Sequence, residues 1–325
     1  MPRTVLVTGA AGFIGSHVCA ALSAAGDHVV GLDNFDAFYS RAEKQRNLSE
    51  VHRAAGSAFV FVEGDLTDAA QLARVFREHP VSGVIHLAGK AGVRPSLADP
   101  AGYMHTNVTG TARVLEASHC AGCDRVVIAS SSSVYGNSEH SPFSEEQDVS
   151  KPISPYAASK RACELLAFAH HTATGQPVSL LRFFTVFGPR QRPDLAIMSF
   201  MRAIAAGKQI RMFGDGTTAR DYTFVADIVA GVLGALEHTP AHRYRIWNLG
   251  NNRPVTLARM IAAIEETVGR KAIVQREGMQ TGDVDRTCAD ITRSSRELGY
   301  RPTTSFEEGL TRQWEWVKES PPLAQ

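Results

Sequence analysis

The 325-residue sequence lacks the features that mark several large classes of protein. Its 34 lysines and arginines almost balance its 33 aspartates and glutamates, and the net charge of +1 gives no indication of binding to nucleic acid or to an anionic membrane. Five cysteines provide no disulfide framework, and Cys120 and Cys123 have no second pair with which to bind zinc. We therefore expect no metal site and no nucleic-acid or membrane partner.

The sequence also has no uninterrupted hydrophobic run of the length that a membrane span requires. Its main apolar stretch, residues 5–32, is broken by glycines and by Ser16, His17 and Asp27, and no basic segment or small-residue cleavage site frames it. We expect a cytoplasmic protein without a signal peptide or a transmembrane helix. At this length the chain can bury the core of one large domain or of two modest ones.

The first 33 residues contain a strand, a glycine-rich turn, a helix and a second strand. The turn holds Gly9, Gly12 and Gly15, and glycine at these positions lets the backbone approach a pyrophosphate while the helix N-terminus faces the phosphates. Asp33 ends the second strand, where it would accept hydrogen bonds from the adenosine ribose and repel a 2′-phosphate. The pattern predicts dinucleotide binding, with NAD favoured over NADP.

Strands and helices continue to alternate through the first half of the chain. This alternation predicts an α/β fold, a doubly wound parallel sheet of the Rossmann type with its ligand at the carboxyl ends of the strands. We expect an NAD-binding domain over residues 1–184, to which residues 221–249 return as one more helix and strand. A smaller α/β domain, residues 185–220 and 250–325, would close over the cofactor and bind the substrate. The predicted strands are residues 4–8, 28–33, 59–62, 83–88, 125–129, 178–182 and 244–249.

A tyrosine and a lysine lie one helical turn apart near the middle of the chain. Ser154 as N-cap and Pro155 in the first turn predict a helix that places Tyr156 and Lys160 on one face. A tyrosine can act as a base near neutrality when an ammonium group lowers its pKa from the usual value of about 10. Four serines, residues 130–133, end a predicted strand and would converge with Tyr156 on one substrate hydroxyl. The arrangement predicts oxidation of an alcohol, with hydride transfer to a nicotinamide.

Five segments along the chain carry recognisable motifs: residues 8–15, 87–94, 131–136, 156–160 and 220–225. Over essentially the whole chain these motifs resemble those of the extended short-chain dehydrogenase/reductases that act on sugar nucleotides. The resemblance implies that Ser131 is the catalytic serine, that Tyr156 is the base, and that Lys160 holds both the tyrosine and the nicotinamide ribose. It also implies a structural or proton-relay role for Asn107, and homodimerisation through two helices, about 103–121 and 155–174.

The glycine turn, Asp33 and the resemblance together define two sets of expected ligand contacts. The residues expected to contact NAD are Gly9, Gly12, Phe13, Ile14, Gly15, Asp33, Asn34, Asp65, Leu66, Leu87, Ala88, Lys90, Asn107, Tyr156, Lys160 and Phe183. Those expected to contact a UDP-sugar are Arg94, Ser131, Ser132, Ser133, Tyr156, Thr185, Arg192, Arg211, Arg220, Asp283 and Arg286.

The expected reaction follows from residues 132 and 133. Ser132 and Ser133 stand where relatives that dehydrate or decarboxylate their sugars carry acidic residues, so the resemblance implies a reaction that stops at oxidation of C4. The hydride would then return to the other face of the turned sugar, which is 4-epimerisation with tightly held NAD. Thr185 and Arg192 resemble the residues that UDP-glucuronate 4-epimerases associate with the uronate carboxylate, and a guanidinium is the natural bidentate partner of that group. Holding the carboxylate near the ring plane would suppress loss of CO2 from the β-keto acid intermediate.

Other functions stay open on the sequence alone. A UDP-glucuronate decarboxylase would share the substrate and release UDP-xylose and CO2. A UDP-N-acetylglucosamine or UDP-glucose 4-epimerase would share the chemistry but not the carboxylate site. A dinucleotide-sensing protein without catalysis would keep the glycine turn and tolerate loss of Tyr156 or Lys160, both of which are present.

Overall fold

The computed structural model describes residues 2–278 and 284–320. The strands are β1 (Thr4–Thr8), β2 (His28–Asp33), β3 (Phe59–Glu63), β4 (Gly83–His86), β5 (Arg125–Ser131), β6 (Val178–Phe183), β7 (Thr185–Phe187), β8 (Gln209–Phe213), β9 (Ala219–Phe224), β10 (Tyr244–Leu249), β11 (Pro254–Thr256) and β12 (Ile273–Glu277). The helices are α1 (Phe13–Ala24), α2 (Arg41–Ala55), α3 (Ala69–Glu78), α4 (Val93–Ala98), α5 (Pro100–Tyr103), α6 (Gly110–Cys120), α7 (Pro155–Thr174), α8 (Ala196–Ala205), α9 (Val225–His242), α10 (Leu257–Val268), α11 (Thr292–Leu298) and α12 (Phe306–Glu319). In the part of the chain that the structure describes, no helix combines the length and the apolar character needed to cross a membrane.

Seven parallel strands form the central sheet, in the order β10-β6-β5-β4-β1-β2-β3. The chain winds outwards from β1 in one direction and from β4 in the other, which places a topological switch point between these two strands. Helices cover both faces, because successive residues of a strand point to opposite sides. Val5 and Val7 belong to the same buried cluster as Val18 of α1, whereas Leu6 belongs to a second buried cluster that includes Leu72 of α3. The predicted doubly wound parallel sheet is confirmed.

The predicted helix over residues 103–121 is longer than expected and contains a change of helical type. Helices α5 and α6 are joined by a π-helical segment, Met104–Thr109, so that residues 100–120 are helical throughout. Such π-helical segments occur frequently at functional sites. Asn107 lies in the middle of this segment.

The second half of the chain adds two small sheets. One is three-stranded, in the order β11-β9-β7, and the other pairs β12 with β8. The prediction that residue 221 begins a helix is wrong, because residues 221–224 belong to β9 and the helix begins at Val225. Asp221 explains the extended backbone, since its buried carboxylate accepts hydrogen bonds from the amides of Asn251, Asn252 and Ala289. Strand β10 lies beside β6 in the central sheet, and the division into two domains stays a prediction.

Candidate active site

One elongated cleft of about 420 Å³ lies at the carboxyl ends of β1, β2, β4, β5 and β6. Its volume is in the range of small-molecule binding sites, and its position beside the switch point is where open α/β sheets bind their ligands. The predicted site residues that line it are Gly9, Gly12, Phe13, Ile14, Gly15, Asp33, Asn34, Asp65, Leu66, Leu87, Ala88, Lys90, Ser131, Ser132, Ser133, Tyr156, Lys160, Phe183, Thr185 and Arg192.

The turn between β1 and α1 forms a cradle that side chains would fill. A Cβ atom on Gly15 would lie 2.0 Å from the carbonyl oxygen of Gly9, and Gly9 itself has a φ of +72°. The N-cap of α1 is Gly12, which provides no side-chain hydrogen bond to the first turn of the helix. The first amide groups of α1 are therefore available to an anion, and the helix dipole favours negative charge at this end. This geometry fits a pyrophosphate.

Asp33 is held at the end of β2 by main-chain amides. Its carboxylate accepts hydrogen bonds from the amide of Ala11 at 3.1 Å and from the amide of Phe35 at 2.8 Å, and Lys44 Nζ lies 3.8 Å away. Burial raises the pKa of the Asp33 carboxyl, and Lys44 together with these amides opposes that effect. Asn34 donates a hydrogen bond to Asp65 at 2.9 Å, which links the ends of β2 and β3. The predicted adenosine-binding residues therefore lie together.

The serine run at the end of β5 rests on a buried charged network. Ser131 Oγ accepts a hydrogen bond from the amide of Ser133 at 3.1 Å, which turns the chain into a short 3₁₀ helix. Ser130 donates to Glu164 at 2.7 Å, and the same carboxylate accepts two hydrogen bonds from Arg182 at 2.8 and 2.9 Å. Glu164 and Arg182 are both almost fully buried. All four serines line the cleft, but the hydroxyl of Ser130 is engaged by Glu164.

Tyr156 and Lys160 occupy the first turns of α7 and line the same cleft. Ser154 caps this helix, since its side chain accepts a hydrogen bond from the amide of Ala157 at 3.1 Å. The Tyr156 ring contacts Tyr103 edge to face, with 6.2 Å between the ring centroids. Lys160 Nζ donates to the carbonyl oxygen of Ala129 at 2.9 Å. A phenol, an ammonium group and the Ser131 hydroxyl therefore face one cleft, an arrangement suited to removing a proton from an alcohol.

Arg192 brings a positive charge to the same cleft from the loop between β7 and α8. Its guanidinium forms a bidentate ion pair with Asp194, at 3.0 and 2.8 Å, and lies 4.8 Å from the centroid of the Phe38 ring. Thr185, the first residue of β7, also lines the cleft. The cleft thus combines a dinucleotide-type cradle, a proton-transfer group and a cation that can bind a carboxylate.

Comparison with known proteins agrees with this combination. The family model described as GDP-mannose 4,6 dehydratase matches residues 6–313. UDP-glucuronate 4-epimerase 3 of Arabidopsis thaliana is 42% identical, with 96% of this chain and 76% of the relative covered, and UDP-glucuronate 4-epimerase of Thermodesulfobacterium geofontis is 40% identical, with 97% and 96% covered. The chain belongs to the extended short-chain dehydrogenase/reductase family. A crystal structure of UDP-glucuronic acid 4-epimerase from Bacillus cereus, in complex with UDP-glucuronic acid and NAD, superposes with a TM-score of 0.91 at 34% identity and covers 98% of this chain and 99% of that chain.

Of the residues expected to contact NAD, all of which are described, only Asn107 does not line the cleft. It is buried, and its side-chain oxygen accepts a hydrogen bond from the amide of Lys90 at 2.8 Å. Its side-chain nitrogen donates to the Lys90 carbonyl at 3.0 Å and to Ser159 at 2.9 Å. Asn107 therefore fixes the main chain of a cleft residue and joins it to α7, which is an indirect role.

The residues expected at the nucleotide end of a sugar substrate lie beyond the cleft lining. The side chains of Arg94 and Arg211 both face the ring of Phe213, at 5.3 and 5.9 Å from its centroid. Arg220 donates a hydrogen bond to the carbonyl of Ala219 at 3.0 Å, and Arg286 pairs with Ala219 as an isolated bridge. Arg94 and Arg211 therefore lie near one another at Phe213, and Arg220 and Arg286 lie near one another at Ala219. The predicted Asp283 lies outside the described residues.

Sequence reasoning missed several residues of the cleft lining, among them four in the segment that follows Asp33. Lys44 is buried beside Asp33, and its Nζ atom lies 4.9 Å from the centroid of the Tyr39 ring. The buried hydroxyl of Tyr39 has no hydrogen-bond partner among the described residues, which suits a ligand in the cleft. Phe38 and Asp36 also line it. A signal was available for the loop residues Asp36, Phe38 and Tyr39, because a loop that leaves the carboxyl end of a strand must begin at the ligand-binding edge of the sheet.

Proposed function

We propose that this enzyme is an NAD-dependent UDP-glucuronate 4-epimerase, which interconverts UDP-glucuronate and UDP-galacturonate through a transient 4-keto sugar. The observation that carries the proposal is the presence of Arg192 in the same cleft as Tyr156 and a serine run without an acidic residue. The relatives named above support the reaction and the substrate, and the Bacillus cereus complex supports the cofactor. NAD supplies, when bound, the acceptor and donor of the hydride at C4.

The chain's own residues provide the proton transfer. Tyr156 takes the proton of the C4 hydroxyl when the alcohol is oxidised, and it returns the proton when the ketone is reduced from the other side. Lys160 lies one turn after Tyr156 on α7, where its ammonium group donates a hydrogen bond to the carbonyl oxygen of Ala129. Ser131 donates a hydrogen bond to the C4 oxygen, which stabilises the charge that develops there.

The substrate's carboxylate is bound by a second group of residues in the same cleft. Arg192 and Thr185 hold it by charge-assisted and neutral hydrogen bonds, together with Ser132 and Ser133. A hydrogen bond to a charged group contributes about 1.5 to 3 kcal/mol, so Arg192 favours the uronate over a neutral sugar by roughly 10- to 100-fold or more. We expect Arg94, Arg211, Arg220, Asp283 and Arg286 to bind the UDP moiety.

The decisive experiment is incubation of the purified protein with UDP-glucuronate, without added cofactor, followed by analysis of the sugar nucleotides at short and long times. We expect UDP-galacturonate without CO2, and loss of most of this activity in Arg192→Ala. UDP-xylose or a 4-keto pentose as the main product would identify a decarboxylase instead. Turnover of UDP-glucose or UDP-N-acetylglucosamine in place of UDP-glucuronate would retain the chemistry and refute the substrate.

We also propose a homodimer that forms through α7 and the helical segment of residues 100–120. Leu165 and Phe168 lie one turn apart on α7 and are 55% and 54% exposed, which is unusual for large apolar side chains on the surface of a monomer. We expect a dimer in sedimentation experiments, and a monomer for the double variant Leu165→Glu, Phe168→Glu. Val60→Glu is the matched control, because Val60 is 46% exposed on β3, at the edge of the central sheet. A monomeric wild type would refute the dimer.

The cytoplasmic location stays a prediction.

A further inference from the structure

The Arg192 side chain is fixed by its own turn. Residues 192–195 form a β-turn in which the amide of Leu195 donates to the carbonyl of Arg192 at 3.2 Å, and Pro193 occupies the second position, which proline favours. This turn places Asp194 where its two carboxylate oxygens accept from Nε and Nη2 of Arg192. The pair is bidentate, so it restricts rotation of the guanidinium as well as its position.

A second contact reaches Arg192 from the cofactor side of the cleft. Phe38 belongs to the loop between β2 and α2. Two hydrogen bonds from main-chain amides to side chains shape this loop. The amide of Asp36 donates to the Asn34 side chain and the amide of Phe38 donates to the Asp36 side chain, both at 2.9 Å. The Phe38 ring stays 37% exposed and lies against the guanidinium of Arg192. An arginine stacked on an aromatic ring gains a cation–π interaction and loses freedom to rotate.

These two contacts leave part of the guanidinium available. Arginine has five N–H donors, and Asp194 uses two of them, so three remain for a ligand. The guanidinium side chain is only 17% exposed and lines the cleft, whereas Asp194 is 43% exposed. A substrate carboxylate that binds the remaining donors must adopt the plane that Asp194 and Phe38 impose.

We propose that Asp194 and Phe38 are positioning residues that fix the plane of the Arg192 guanidinium and thereby keep the keto-acid intermediate from losing CO2. This inference rests on the proposed function. The charge of Arg192 binds the carboxylate, whereas the fixed orientation of its guanidinium determines whether the keto acid is epimerised or decarboxylated.

The step that the two residues suppress is chemically complete without a further reagent. In the 4-keto sugar the C5–C6 bond breaks when it lies parallel to the carbonyl π system, its electron pair forms the C4–C5 enolate, and C6 leaves as CO2. A proton from water then adds to C5 and gives the 4-keto pentose. The oxidation at C4 belongs to the preceding step of the proposed reaction, so decarboxylation itself needs no oxidant. The angle between the C5–C6 bond and the C4 carbonyl π system depends on ring pucker and on where C6 lies relative to the ring. The protein must therefore hold the carboxylate in a fixed position relative to the ring.

The test is the ratio of decarboxylated to epimerised product from UDP-glucuronate. We expect Asp194→Ala to raise this ratio about 10-fold or more, since loss of orientation by a small angle is enough to change the partition. Asp194→Asn keeps one acceptor oxygen and should give an intermediate ratio, and Phe38→Ala a smaller increase than Asp194→Ala. Asp215→Ala is the matched control, because Asp215 also closes an exposed turn, by accepting from Thr217, and does not line the cleft.

A second readout separates orientation from binding. In a Tyr156→Phe background, which blocks turnover, calorimetric affinity of Asp194→Ala for UDP-glucuronate should stay within a few-fold of the parent, because Arg192 keeps its charge. An unchanged product ratio in an Asp194→Ala enzyme that still epimerises would overturn this inference alone. Tighter binding with an unchanged ratio would show that Asp194 competes with the substrate. A wild type that forms no UDP-galacturonate would refute the proposed function and this inference with it.

Discussion

The two ends of the cleft are built in different ways. The end of the cleft that is proposed to bind NAD, the cofactor end, is lined largely by one continuous segment, residues 9–44, whose turn, helix and strand follow each other directly along the chain. The end that is proposed to bind the sugar, the sugar end, combines the end of β5, the first turns of α7 and the loop after β7, which are distant in sequence. A ligand-binding element made of consecutive residues is defined by local steric requirements, whereas an assembled one depends on long-range contacts. The buried pair of Glu164 and Arg182 is the chief example, since it joins α7 to β6 beneath the serines of β5.

The largest effect is expected at the sugar end, from Tyr156→Phe. Removal of the phenol oxygen removes the proposed base, so turnover of UDP-glucuronate should fall by about 10²- to 10⁴-fold. If the two ends are built independently, the variant should retain as much bound NAD as the wild type. The measurements are the epimerisation rate and the NAD content of the purified protein, and a parallel loss of NAD would mean that Tyr156 is needed to build the cofactor end as well.

The next effect concerns the network that assembles the sugar end. Glu164→Gln leaves the buried Arg182 without a compensating charge, and breaking a buried pair in this way costs about 3 to 5 kcal/mol. We expect a correspondingly lower free energy of unfolding by denaturant titration. Glu116→Gln is the control, because Glu116 pairs with Arg113 on the exposed side of α6 and its loss should not be measurable. Equal free energies of unfolding for the two variants would show that the buried pair of Glu164 and Arg182 does not hold the sugar end together.

At the cofactor end, Gly15→Ala should act through sterics alone. Its Cβ would lie 2.0 Å from a main-chain oxygen that cannot move aside, and overpacking of this kind costs up to about 3 kcal/mol, roughly 100-fold in affinity. We expect the variant to lose most of its NAD on purification and to regain it only at high concentration. Gly278→Ala is the matched control, since a methyl group at that position would have no described atom within 4 Å beyond its own chain neighbours. Full retention of NAD by Gly15→Ala would show that the local turn does not define this end.

The last expected effect is a pH dependence at the end of β4, and it is the smallest when it is counted per pH unit. His86, at the end of β4, is buried between Thr8 and Thr111, and burial together with the charge of Lys160 lowers its pKa to about 3. Because the unfolded histidine has a pKa near 6.5, its contribution is complete above that pH and is lost as the pH falls towards 3, by up to about 1.4 kcal/mol per pH unit. We expect the free energy of unfolding of the wild type to fall more steeply between pH 6.5 and 4 than that of His86→Asn. Parallel curves would contradict this assignment.

Sequence reasoning located the fold and most of the cleft lining, but it did so unevenly. The glycine turn, Asp33 and the Ser154 cap follow short rules of backbone geometry, and all were found where the rules placed them. Lys44 and Glu164 were missed, because a lysine or a glutamate within a helix carries no local sign of being buried. The helical prediction for residues 221–224 was wrong for a similar reason, since the extended backbone there depends on amides from residues 251, 252 and 289.

The sequence by itself determined the alternation of strands and helices, the steric opening for a pyrophosphate, and the presence of a tyrosine, a lysine and four serines at element ends. Each of these depends on neighbours within a few positions, where covalent geometry leaves little choice. Only the tertiary structure decided which face of Arg192 is available, that Asn107 acts through Lys90, and that Phe38 joins the cofactor side to the sugar side. The physical reason is that side-chain orientation is set by packing and hydrogen bonds between segments, whose energies depend on distances that the linear sequence does not contain.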